Sequence, residues 1–179
     1  YEANTDASWH INDKLSTGLL VHYSNDKMSH DDNGDGFLDT PLKEQVNLMN
    51  RWSYNSGSYV AQYGGRFLHE SRIGGQDTHH GGMVNPYVID LNTNRAELFT
   101  KQAYILDKEK VESVALILSG SYHEQKSMYD ITPYNIYQNN VYASLLYEKE
   151  FSHAHSLSTG LSLNYDGFNE NLVLGGIRT

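Results

Sequence analysis

The amino-acid sequence predicts an all-β fold, an antiparallel up-and-down β-barrel segment of about eight strands. Three observations point there: side-chain polarity alternates with a period of two over long runs, tyrosines stand near the ends of those runs, and the connections alternate between short and long. Composition agrees, because 14 Tyr stand against 5 Phe and 2 Trp while Pro occurs only 3 times, a balance that suits strands.

A first short strand lies before Asn12. From Leu15, one face carries Leu15, Thr17, Leu19, Val21 and Tyr23, and the other carries Ser16, Gly18, Leu20, His22 and Ser24. The period returns at Leu42, where Leu42, Val46, Leu48, Trp52 and Tyr54 oppose Lys43, Gln45, Asn47, Arg51 and Ser53; Glu44, Met49 and Asn50 break it. After the turn-like Asn55-Ser56-Gly57, Tyr59, Ala61, Tyr63, Gly65 and Phe67 share a face while Gln62, Gly64 and Arg66 point away, which predicts a hairpin. Near residues 95–106, Glu97-Leu98-Phe99-Thr100-Lys101 does not separate onto two faces, and only its neighbours place a strand there. Val114, Leu116, Leu118, Gly120 and Tyr122 mark the next strand, with Ser119, Ser121 and His123 opposite. Tyr137, Val141, Ala143, Leu145 and Tyr147 follow, against Gln138, Asn140, Ser144 and Glu148. The clearest alternation comes last, with Leu157, Thr159, Leu161, Leu163 and Tyr165 opposed by Ser158, Gly160, Ser162, Asn164 and Asp166.

Short turns near residues 12–14, 55–57, 107–110 and 152–155 take turns with longer loops near 29–41, 73–90 and 128–133. Transmembrane barrels show this asymmetry, with tight periplasmic turns, long outer loops and an aromatic girdle at each interface. Trp9, Tyr54, Tyr59, Tyr147 and Phe151 would form the lower girdle, and Tyr23, Tyr122, Tyr137 and Tyr165 the upper one. A soluble sandwich or lipocalin-like barrel shares the same period, since period alone does not tell inside from outside. Runs of about ten residues with aromatics at their ends favour the membrane over soluble strands of ~5–6. With both ends of the chain on the outer side and residues 171–176 read as loop, the expectation is one piece of a larger barrel.

Charge and composition exclude several classes. A net charge of -9, with 22 acidic and 13 basic residues and no basic block, argues against binding nucleic acid through its phosphates. Without cysteine there is no disulfide framework or thiolate chemistry. No apolar run approaches the ~20 residues of a spanning helix, whereas a barrel strand needs only about 9–11.

The most specific local motif lies in the first long loop, Asp31-Asp32-Asn33-Gly34-Asp35-Gly36-Phe37-Leu38-Asp39. Asp31, Asn33, Asp35, the Phe37 carbonyl and Asp39 recur at alternate positions, the donor spacing of a short calcium loop, with Gly36 permitting the sharp turn. Leu42 stands where a helical calcium hand has its bidentate Glu. An acidic, glycine-rich solvated turn has the same composition. His79 and His80 are candidates to ligate haem iron or another metal, set against the commoner solvated loop histidine. Gln45, Asn47, Arg51, Gln62, Arg66, Gln138, Asn140 and Glu148 are read as lining a polar lumen. No nucleophile elbow, metalloprotease helix or phosphate loop is present, so no catalytic residue is assigned.

Three stretches, Leu15-Ser16-Thr17-Gly18-Leu19-Leu20-Val21-His22, Asp35-Gly36-Phe37-Leu38-Asp39 with Pro41, and Asn47-Leu48-Met49-Asn50-Arg51-Trp52, together resemble the middle barrel of TonB-dependent outer-membrane receptors. Residues 95–101, 118–123 and 157–161 resemble strands of the same family. The resemblance implies a 22-stranded barrel in the bacterial outer membrane, closed by an N-terminal plug. It implies uptake of a bulky scarce nutrient, without covalent chemistry, driven by an inner-membrane energy-coupling protein acting through the plug. Outer-membrane lipid and a surface lipoprotein are further expected partners. The subgroup it resembles most takes up cobalamin and iron or haem complexes. A small self-contained barrel serving as structural protein or adhesin is the alternative, an outer-membrane enzyme with its site assembled from scattered barrel residues is the third reading, and neither a plug nor a coupling box lies in these residues.

Overall fold

The computed structural model describes residues 1–77, 85–107, 111–174 and the backbone of 177–178. Strands β1 (Glu2–Asn12), β2 (Leu15–Asp26), β3 (Leu42–Asn55), β4 (Tyr59–Gly75), β5 (Val88–Asp107), β6 (Glu112–Tyr129), β7 (Thr132–Ser152) and β8 (His155–Leu174) pair in sequence order, each antiparallel to the next. A two-residue strand, β9 (Ile177–Arg178), pairs with the end of β8. The chain is thus all-β, and its eight strands form one up-and-down sheet without a helix among the described residues. That sheet is open: β1 and β8 share no contact.

Short turns are built by local hydrogen bonds. Asn12 Oδ1 accepts from Lys14 N and Leu15 N at 2.9 and 3.0 Å, and Asn55 Oδ1 accepts from Gly57 N at 2.9 Å, where φ is 84°. At the opposite end two segments differ from expectation. Residues 128–133 are not a long loop, because Tyr129 pairs with Thr132 and Asp130 takes a φ of 55°, as a two-residue hairpin turn requires. Pro133 misleads there: it stands at the start of β7, before pairing with β8 begins at Tyr134, so its missing N–H is tolerated. Asn171 to Leu174 is likewise strand rather than loop, and Asn171 and Leu172 pair with Asn135 and Tyr134.

Register fixes a tilt. One row of partners runs Leu15, Tyr54, Ala61, Gln102, Leu116, Leu145, Leu161. Leu15 is the first residue of β2, whereas Leu161 lies six residues (161 − 155) above the first residue of β8. Six strand steps therefore shift the turns by six residues. One residue of ~3.3 Å along the strand for each ~4.8 Å across inclines the strands by about 35° to the line of their turns.

The sheet has no hydrophobic core. Among the described residues Ala61 is the one fully buried apolar side chain. Accessible surface totals 12182 Å², against about 8,800 Å² expected for a compact monomer of this mass. Nothing in the described chain covers either face.

Candidate functional site

Because paired residues share a face, the registers sort every strand into two sets. One set carries an apolar band five positions deep: Leu15 to Tyr23 on β2, Tyr54 to Val46 on β3, Tyr59 to Phe67 on β4, Tyr104 to Ala96 on β5, Val114 to Tyr122 on β6 and Leu157 to Tyr165 on β8. Each spans nine residues by numbering, within the ~9–11 that cross a bilayer at a tilt. Trp9, Tyr54, Tyr59 and Tyr147 lie on this face near the short turns, and Tyr23, Tyr122, Tyr137 and Tyr165 lie on it near the other end. Tyr104 belongs with the lower group and was not singled out from sequence. Beyond the band the same face turns polar at Glu44, His69, Asn94, Glu124 and Asn169.

Two polar side chains inside the band are satisfied internally. Asn50 donates to Thr17 Oγ1 and Gly18 O at 3.2 and 3.1 Å and accepts from Trp52 Nε1 at 2.6 Å. Gln102 Oε1 accepts from Tyr59 OH at 2.8 Å, and Tyr59 and Tyr63 share a hydroxyl contact of 2.9 Å. A lone Asn in such a band signals a partner two rows away, a signal the period alone does not carry.

The opposite face gathers the charged and amide residues. Gln45, Asn47, Arg51, Gln62, Arg66, Gln138, Asn140 and Glu148 all fall on it. So do His22, Arg95, Glu97, Lys101 and His123, which were not assigned to the lumen set from sequence. Arg66 Nε donates to Asn47 Oδ1 at 3.3 Å, and Asn140 Nδ2 donates to Asn164 Oδ1 and Asp166 Oδ1 at 2.9 and 2.8 Å. A cavity of about 330 Å³ sits on this face between β1 and β4. One row, Asp6, Leu20, Met49 and Arg66, supplies an apolar floor with opposite charges at its two ends. That arrangement suits contact with groups of either sign from a ligand or an inserted segment.

The loop after β2 is folded onto the end of β4. Phe37 bridges to Gln76, Leu38 N donates to Gly75 O, and Asp77 N donates to Gly36 O, both at 2.8 Å. Asp77 is buried and accepts from Ser29 Oγ. Within the loop Asp31 accepts from Gly34 N, Asp35 N and Gly36 N at 2.8, 3.1 and 2.9 Å. Asn33 Oδ1 accepts from Asp35 N, Asp35 Oδ1 from Phe37 N, and Asp39 Oδ2 from Asp32 N. These carboxylates turn inward onto the loop's own backbone. Among the described residues no three His, Asp or Glu side chains converge as a metal site. His79 and His80 lie outside the described residues.

Protein-family models, curated proteins and solved structures were each compared with this chain, and none matches. The functional reading therefore stands on the residues and their placement.

Proposed function

We propose that the chain is a stretch of an outer-membrane β-barrel belonging to a TonB-dependent receptor, which takes up a bulky, scarce nutrient such as cobalamin or an iron or haem complex. The observation that carries the membrane part is the nine-residue apolar band, which keeps to one face across the sheet and has no core beneath it. A soluble sandwich would bury that face against a second layer. The ~35° tilt falls at the lower end of the range for membrane barrels.

The open edges support a larger barrel over a self-contained one. The acidic residues of β1 and β8, Glu2, Asp6, Asp166 and Glu170, all stand on the polar face, β8 runs 20 residues without Lys, Arg or Pro, and β1 also lacks them. Edge strands exposed to water carry such residues to prevent pairing with other chains, so these edges read as strands that continue a sheet. The polar face then lines a lumen in which the plug sits, and transport needs no covalent chemistry. Energy reaches the plug from an inner-membrane coupling protein. The loop of Asp31, Asn33, Asp35, Phe37 and Asp39 holds calcium at the outer surface, where it stiffens a ligand-facing loop already stitched to β4.

Deleting the gene and following uptake of labelled cobalamin, haemin and a ferric siderophore, with and without a protonophore, tests the receptor reading. Loss of one protonophore-sensitive route is expected. Unchanged uptake of all three, with the protein present in the outer membrane of the parent strain, would favour the structural or adhesive alternative.

A further inference from the structure

We propose that a glycine-floored groove on the apolar face of β3–β6 holds one acyl chain of a membrane lipid at a fixed position; the inference rests on the membrane reading above. The groove has a volume of about 450 Å³, with Trp52, Tyr63 and Leu118 along its side and Gly65 and Gly120 as its floor. Asn50, Gly65, Leu98 and Gly120 form one row across the four strands, so Leu98 stands between two positions without a side chain. Leu98 is 71% exposed, and its Cδ2 leans over Gly65, 3.1 Å from where a Cβ there would stand, which leaves the Gly120 side of the groove open. A Cβ on Gly120 would meet nothing closer than the Asn140 carbonyl oxygen at 3.8 Å. Packing within the sheet does not demand glycine there, and what the glycine supplies is depth.

Hydrogen bonding selects the occupant. The polar side chains that project from this face onto the groove already have partners within the protein, and Ser119, which also lines it, belongs to the opposite face. Asn50 and Trp52 bond to each other at 2.6 Å, Asn50 also to Thr17 and Gly18, Tyr63 to Tyr59 at 2.9 Å, and Thr100 accepts from Gln102 Nε2 at 3.2 Å. No charged residue lines the groove. A peptide strand or a sugar would lose its hydrogen bonds to water and find none in return, whereas hydrocarbon needs none. The groove also lies inside the nine-residue band, at the depth where a bilayer presents methylene groups.

Photolabelling tests this directly. The intact protein is reconstituted with phosphatidylethanolamine bearing a mid-chain diazirine, irradiated and digested, and the labelled residues are located by mass spectrometry. Per unit of exposed area, Trp52, Leu98 and Leu118 are expected to carry at least about three times the label of Leu48 and Leu145, which share the face away from the groove. Gly120→Leu fills the groove and brings its label down to the level of Leu145. Equal labelling of groove and surrounding face in the unmutated protein overturns the proposal and leaves the membrane reading standing. Label on Leu48 and Leu145 with none in the groove also overturns it and assigns the groove to a protein partner. Absence of label from the whole face overturns the membrane reading itself. The unmutated protein decides among these outcomes even if Gly120→Leu fails to fold.

Discussion

Along β6, two stretches of one face carry opposite chemistry. Val114, Leu116, Leu118, Gly120 and Tyr122 are apolar or aromatic, and the next two positions on that face are Glu124 and Lys126, joined at 2.8 Å. Their hydrogen bond holds the Glu124 carboxyl below the usual carboxylate range and raises the Lys126 ammonium. The strand itself continues unbroken from Glu112 to Tyr129 through the change. Backbone pairing is therefore indifferent to the boundary, and on the proposed membrane reading the surrounding medium accounts for it: hydrocarbon against the lower stretch, water against the upper one. On β4 and β5 the boundary falls at the same place relative to β6, where His69 Nδ1 meets Asn94 Oδ1 at 2.8 Å beside Glu124.

The largest effect that would break or sharpen this contrast comes from a charge placed on each side of it. Leu145→Arg, within the band, should cost ~2–4 kcal/mol of folding free energy, and Asn94→Arg, above it, about 0–1 kcal/mol. Urea titration in lipid vesicles measures both, and equal costs would remove the boundary. Asn50→Ala should cost about 1 kcal/mol, because Trp52 Nε1 loses its acceptor where no water replaces it; a change in Trp52 fluorescence should accompany it. Above the band, Asp35→Ala should abolish calcium-dependent protection of the loop from protease while leaving stability in lipid unchanged. Identical cleavage with and without calcium in the unmutated protein would remove the ion from the account. The smallest effect concerns Glu124. Since its pKa is lowered on folding, its contribution is present above the ordinary carboxylate pKa and fades as pH falls through the lowered value. Glu124→Gln should flatten that acid limb slightly, seen as a smaller shift of the urea midpoint between neutral and acid pH.

Strand identity was legible wherever a mostly apolar face alternates with a polar one, as on β2 and β8. On β5 it was not, because Phe99 stands on the polar face. The reason lies on the neighbouring strand: a Cβ on Gly64 would come within 2.4 Å of the Phe99 ring, so the aromatic covers a position that has no side chain. Such a pairing depends on register between β4 and β5, which the sequence does not print. The polar face was legible in eight residues because their period matches the apolar set. The Asp6 to Arg66 row was missed, since its four members come from four strands and meet only through register. The acidic loop could be found from donor spacing, but its attachment to Gly75, Gln76 and Asp77 needed the fold.

The account rests on lipid lying against one face and water against the other. The chain contains no cysteine, so single replacements on β6 report each face separately. In sealed proteoliposomes a small water-soluble maleimide should modify Ser119→Cys and Ser121→Cys rapidly and leave Leu116→Cys and Leu118→Cys unmodified until detergent is added. Equal modification at all four positions, or the reverse order, would contradict it.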